Sequence, residues 1–307
     1  MSLNKHSASK KSSKHPRPDF DNFKSIEANM AYNDCYKQAT IIMERVVRLD
    51  TFKDTSIPDV FKKRTWTKLL NPSGNLYAEI IKEFFSNASM DGDHINYWVR
   101  HKEFVITRDS IQEFLEVRPT SQPITMQYDD RLDSIEPMVE VLGGPLHKKS
   151  MNTIPFNLEI RTLAYVMIHN LYPVTNMTTL SAPRTIFLYN LFTHKEIDIC
   201  GHIFHLLTKS ITKRNTRTIM SFPTLIMGLI AKTRLKLSSG LTIVCRDYAI
   251  GANTVTRSKA HITKSKTGVS QIPRDHAQEE GRDTEEEINR FTLAPESFAQ
   301  PSSQAQA

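Results

Sequence analysis

The sequence predicts a mainly α-helical domain with one small β-hairpin and disordered N- and C-terminal tails. Three observations lead there. Apolar residues between 25 and 252 recur mostly at helical spacing. One stretch, Tyr97 to Ile106, concentrates β-branched and aromatic residues on both sides of a polar centre, as a hairpin does. Both ends are polar, with charges in blocks.

The helical signal is clear in several places. Tyr32, Tyr36, Ala39, Met43, Val46 and Val47 follow a 3.6-residue period. Leu76, Tyr77, Ile80, Ile81, Phe84 and Phe85 form a wide stripe after the breaker Asn71-Pro72-Ser73-Gly74. Ile111, Phe114 and Leu115 share one face of a short helix, capped by Thr107 and stopped before Pro119. Further helices are expected near 157–170, 183–193, 196–212 and 222–235, the last with Pro223 in its first turn. The stretch 118–150, with Pro119, Pro123, Pro137, Gly143, Gly144 and Pro145, reads as a long loop with one short helix.

Charge divides the 307-residue chain into three parts. A basic arm over 1–24 carries +4, the middle over 25–252 carries +4, and a charged tail over 253–307 carries −1, making the net +7. The arm and tail hold too little apolar surface to offset the entropy of ordering them. Cys35, Cys200 and Cys245 are odd in number and far apart, so they outline no disulfide framework or zinc ribbon. The first residues lack the apolar stretch of a signal peptide, and the longest apolar runs are far shorter than the ~20 residues a membrane helix needs. The expectation is an intracellular protein, nuclear or cytoplasmic, with no membrane partner.

Candidate chemistry is sparse. Tyr128-Asp129-Asp130 is one residue short of the Tyr-x-Asp-Asp pattern that holds metal ions for phosphoryl transfer, and Asp133 follows it. An exposed loop is the expectation. His194, Cys200, His202 and His205 cluster in sequence, but no paired metal-ligand spacing accompanies them, so a core cysteine with surface histidines is expected. No phosphate-loop, dinucleotide-loop or nucleophile-elbow pattern occurs. Catalytic residues, metal ligands, cofactors and a small-molecule substrate are therefore not assigned.

The basic pattern says more. No acidic residue occurs between Asp198 and Asp247. Within that run Lys209, Lys213, Arg214, Arg217, Lys232, Arg234 and Lys236 are the candidate nucleic-acid-binding residues. Lys209, Lys213 and Arg217 are spaced by four and would share a helical face able to neutralise phosphates. Aromatic side chains do not interleave with these cations, which argues against a platform for stacked single-stranded bases.

Residues from about 60 to 237 resemble the putative plant transposon protein domain. That family occurs in plant retroelement-derived proteins and is akin to the first-reading-frame product of Athila-type retrotransposons. Arg64-Thr65-Trp66 and Ile81-Lys82-Glu83-Phe84-Phe85-Ser86-Asn87 are similar to its Trp and its Val-x-Glu-Phe-Tyr-x-Asn. Val99 to Ile106, followed by Ile111 to Leu115, are similar to its Val-Arg-Gly-Lys hairpin and Ile-x-x-Phe-Leu helix, with His101 in place of Gly. Leu171 to Asn176 and Ile186 to Tyr189 resemble its Leu-x-Pro-Thr-x-His segment and following helix, and Phe222 to Ile226 its Phe-Pro-x-Leu-Ile. The resemblance implies a retroelement origin and carries no catalytic residues.

The reading that follows is a non-enzymatic, retroelement-derived plant protein that binds RNA or DNA or self-associates, in the manner of a gag-like accessory product. The alternative is a protein-interaction scaffold without nucleic-acid contact. A nuclease or transposase stands behind both, because no set of converging carboxylates is evident.

Overall fold

The computed structural model describes residues 22–120, 135–144, 146–147, 150–153, 156–175, 178–215, 218–237, 240–245 and 249–256. The arm over 1–21 and the tail beyond 256 lie outside them, as do Asp129, Asp130 and Asp133.

From the N-terminus the elements are α1 (Ile26–Ala31), running into a π-helical turn over Tyr32–Tyr36, then β1 (Thr40–Ile42), α2 (Ile57–Lys62), α3 (Thr67–Leu70) and α4 (Ala78–Asn87). They continue with β2 (Ser89–Asp91), β3 (His94–Val99), β4 (Lys102–Ile106), α5 (Arg108–Leu115), α6 (Glu136–Leu142), β5 (Leu146–His147) and β6 (Ser150–Asn152). Then come α7 (Leu158–Val166), with a second π-turn over Met167–Leu171, β7 (Thr179–Ser181), α8 (Ala182–Phe192), α9 (Ile199–Thr212), β8 (Ile219–Ser221) and α10 (Pro223–Lys232).

Long apolar stripes became helices, and their buried faces meet in one continuous core. The α4 stripe buries Ile80, Ile81, Phe84 and Phe85. Around it pack Phe61, Trp66, Phe187, Leu188, Phe222 and Ile226, all essentially inaccessible to solvent. At α5 the Thr107 hydroxyl accepts from the Ser110 N–H at 3.0 Å, and Ser110 Oγ accepts from the Thr107 N–H at 2.9 Å.

The strand content corrects the expected fold class, a mainly helical domain with a single hairpin. The described residues contain three small sheets: an antiparallel β2-β3-β4 meander, an antiparallel β5-β6-β7 set and a parallel β1-β8 pair. The expected hairpin is the β3–β4 part of the first. The other strands are two or three residues long, too short to show a two-residue period. The β1 partner lies far away in sequence, Thr40 pairing with Ile219 and Ile42 with Ser221. The helix expected from Tyr32 to Val47 likewise stops at Tyr36. The Tyr36 ring packs tilted on that of Phe85 and its hydroxyl donates to Ser210 O at 2.9 Å, while Val47 bridges Ile250.

The hairpin turn keeps the left-handed backbone that the family's Gly would favour. Arg100 has φ 47° and His101 φ 65°, a two-residue turn built from two side chains for which that region is costly. Buried Glu83 holds it. Its carboxylate accepts the Arg100 N–H at 2.6 Å and lies 3.3 Å from Arg100 Nε.

The β1–β8 seam is closed by a buried carboxylate. Phe222, the N-cap of α10, sits at φ 57° and offers no side-chain acceptor. Glu44, just past β1, accepts the N–H groups of Thr224 at 3.0 Å and Leu225 at 3.2 Å. It therefore does the capping that Phe222 cannot. Next to it Asn170, placed by the second π-turn, donates to Arg45 O and Leu69 O, both at 2.7 Å, and accepts the Arg45 N–H at 3.3 Å.

Two outcomes are expected. Burial raises the Glu44 carboxyl above its ordinary value, and the two helix N–H groups only partly oppose this. Between the ordinary and the raised value the folded chain keeps a proton that the unfolded chain releases, so stability falls as pH rises through that interval. Glu44→Gln removes this slope, which reaches about 1.4 kcal/mol per pH unit in the native chain; urea midpoints of the two proteins from pH 4 to neutrality compare them. His101→Gly relieves a left-handed residue and raises stability by roughly 0.5–1 kcal/mol, read as a shift in the same midpoint.

Candidate nucleic-acid interface

The candidate cations fall into two groups at different places in the fold. Lys209, Lys213 and Arg214 sit at the C-terminal end of α9, beside β2 and β8. Ser210 Oγ donates to Ile219 O at 3.2 Å, and Thr208 Oγ1 lies 3.4 Å from Met90 Sδ. Lys232, Arg234 and Lys236 lie at and beyond the C-terminal end of α10. That helix starts one residue past β8 and has ten residues, so its axis carries Lys232 about 15 Å from its first turn. The α10 end packs against α5, where the Phe114 ring abuts Gly228 so closely that a Cβ there would overlap it. Arg217 lies outside the described residues.

Within the second group, acids from elsewhere in the fold intervene. Lys232 Nζ is 2.8 Å from Glu113 Oε1 and rests 5.7 Å from the Phe114 ring centroid. Lys68 lies on the same ring and pairs with Glu116 at 2.7 Å. An open groove alongside is lined by Asp109, Gln112, Glu113, Glu116 and Val117. The acid-free stretch of sequence therefore meets the carboxylates of α5 and its C-cap, Glu113 and Glu116, in space. Arg234 and Lys236 are exposed beyond it, Arg234 at φ 55°.

The first group is less encumbered, with one exception. Arg214 is occupied as a strut: its guanidinium donates to Ala88 O at 2.8 Å and to Ile211 O at 3.0 Å. Lys209 and Lys213 are exposed, and among the described residues neither has an ion-pair partner. Lys209 lies in the last turn of α9 and Lys213 is its C-cap, whose N–H donates to Lys209 O, with His205 one turn earlier. Burial lowers the His205 imidazole below its ordinary value, and the charges of Lys209 and Lys213 lower it further. The stripe thus carries a positive field that sequence reasoning did not connect to His205, although its four-residue spacing from Lys209 was visible.

The other candidates are part of the core. His202, expected at the surface, is buried, with its ring 4.6 Å from that of Tyr172 and 4.8 Å from that of Phe187, and Nε2 3.1 Å from Leu171 O. Burial pushes its pKa down to about 3. Cys200 is also buried, and burial, reinforced by Asp198, pushes its thiol up to about 12, so it is no reactive thiolate. Among the described residues no three His, Cys, Asp or Glu side chains are placed to hold a metal ion, and no helix is long and apolar enough to cross a membrane.

The residues that carried the family resemblance are largely core residues: Trp66, Phe84, Phe85, Val99, Ile106, Ile111, Leu171, Phe187 and Phe222. They specify a fold. A family model, the putative plant retrotransposon-related domain, matches the chain over residues 62–235. The chain belongs to this family and is a plant retrotransposon-derived protein. No curated protein and no solved structure matches it.

Neutral burial of His202 has an acid-side consequence. The unfolded chain takes up a proton on this ring as pH falls below its ordinary 6.5, while the folded chain does so only near 3. Stability is lost between those values. His202→Gln keeps a donor for Leu171 O without the titration. Its stability relative to the native chain is expected to improve by about 1.4 kcal/mol for each pH unit from 6 to 4, measured by chemical denaturation.

Proposed function

We propose that this retrotransposon-derived protein is a non-enzymatic binder of nucleic acid that contacts the phosphate backbone through the α9 stripe His205–Lys209–Lys213. What supports the reading is the exposure of Lys209 and Lys213 on one helical face together with the field they impose on His205. Arg234 and Lys236 are a secondary group, while Lys232 is neutralised by Glu113 and Arg214 holds the fold. This narrows the binding set to side chains available to a phosphate. Backbone contacts of this kind bind without sequence preference and weaken with salt. The basic arm adds charge to the same partner.

The test is binding of duplex DNA and structured RNA across a salt series. Each lysine–phosphate contact contributes about 0.9 to the log–log salt slope on duplex DNA, so Lys209→Gln with Lys213→Gln is expected to lower the slope by about 2. Lys232→Gln should leave the slope unchanged. No binding at low salt, or an unchanged slope in the double variant, would sink the proposal.

A further inference from the structure

The α9 stripe holds a titratable group beside two fixed charges. His205 is exposed and lies four residues before Lys209, which places imidazole and ammonium on one helical face with about 5–6 Å between their Cβ atoms. One phosphate group of a bound strand can therefore touch both. Partial burial of the ring lowers the imidazole below its ordinary value, and the charges of Lys209 and Lys213 lower it further, so at neutrality it is held uncharged. The elements packed on α9 are α5, β2, β8 and α4. On α5, Arg108 pairs with Asp198 at 3.0 Å, Asp109 acts on Cys200, and Glu113 pairs with Lys232. On α4, Glu79 acts on Lys82 and Glu83 pairs with Arg100. Asp91 of β2 lies 3.6 Å from the His94 ring, and β8 carries no charged residue. Within α9 the charge of His205 reaches the buried His202.

We infer that His205 is a proton-linked contact of this site: a phosphate held by Lys209 also engages His205, whose imidazole gains a proton from solvent as the complex forms, so nucleic acid binds more tightly as pH falls. The inference rests on the stripe being the binding surface and adds the group that makes binding pH-sensitive. The cause is the pairing itself. Phosphates at Lys209 and Lys213 cancel two charges that depress the imidazole and set a negative one beside it, which raises it. The complex then binds more protons than the free protein. Affinity therefore rises as pH falls through the raised value and levels off below the depressed one, by up to about tenfold per pH unit in between. A protonated His205 is also one more cation on the phosphates and contributes about 0.9 to the log–log salt slope on duplex DNA. The lysines supply neither effect, since their charge does not change in this range.

The experiment measures binding of the full chain to duplex DNA across a salt series at about pH 8 and about pH 5.5, either side of the ordinary imidazole value. The native chain should bind more tightly at the lower pH, with a slope larger by about 0.9 from this ring. His205→Gln should lose that increment. His205→Lys should raise the slope at about pH 8 by about 0.9 over the native chain and show no increment on acidification, a gain that misfolding cannot produce. His6 and His15 of the basic arm can add an acid-side increment of their own, so the effect of His205 is read as the difference between native and variant. An increment unchanged in His205→Gln, or no gain in His205→Lys, would overturn the proposal, while a slope still lowered by Lys209→Gln with Lys213→Gln would leave the stripe standing. Salt-sensitive binding absent at both pH values would remove the stripe and this inference with it.

Discussion

The fold depends on one buried carboxylate. Glu44 accepts the first free N–H groups of α10 from 180 residues away, and it can do so only because β1 and β8 run parallel beside it. The strand pair is three residues long and could not hold by itself. The cap could not form without the pair. Together they close the chain on itself, and Val47 with Ile250 extends the closure by one more bridge. Burying a carboxylate costs free energy, and two charge-assisted hydrogen bonds to a helix N-terminus offset part of it. The arrangement exists because the chain needs an acceptor where Phe222, a large core residue in a left-handed conformation, supplies none.

The same economy recurs elsewhere. Glu83 restrains the hairpin turn, Asn170 ties Arg45 to the α3 backbone, and Asn87 accepts the Lys24 N–H at 2.8 Å while donating to Asn22 O at 2.9 Å. Each is a buried polar side chain bonded to the backbone of a segment distant in sequence. The N-terminal segment 22–52 lies outside the matched family region, yet it supplies β1, Glu44 and Tyr36 to the core. The folding unit is therefore larger than the stretch that carries the resemblance.

Chemistry that looked promising in sequence is mostly absorbed into packing. His202 sits against Tyr172 and against Phe187 of α8, and Cys200 is buried. Arg214 braces the start of β2 through Ala88 O, and Lys232 answers Glu113. Among the described residues, the Lys209–Lys213 face at the end of α9 is a charged surface that packing does not use. Function, as proposed, belongs to that leftover surface.

By itself the sequence determined the long helices. A 3.6-residue stripe over 78–87, 182–192, 199–212 and 223–232 has one satisfactory burial, and Thr107 has one obvious capping role. It also determined the family, because core aromatics in order are a property of the chain. It did not reveal β1 and β8, because a three-residue strand is defined by a partner and not by its own periodicity. Nor did it show that the acid-free run is divided in two and partly neutralised. Charge along a chain adds up by position, whereas a field adds up in space, and only the packing of α5 against α10 put Glu113 beside Lys232. The left-handed turn at His101 was unfavourable locally and became stable through Glu83, seventeen residues from Arg100. Tertiary structure decided wherever the stabilising group lay on another element.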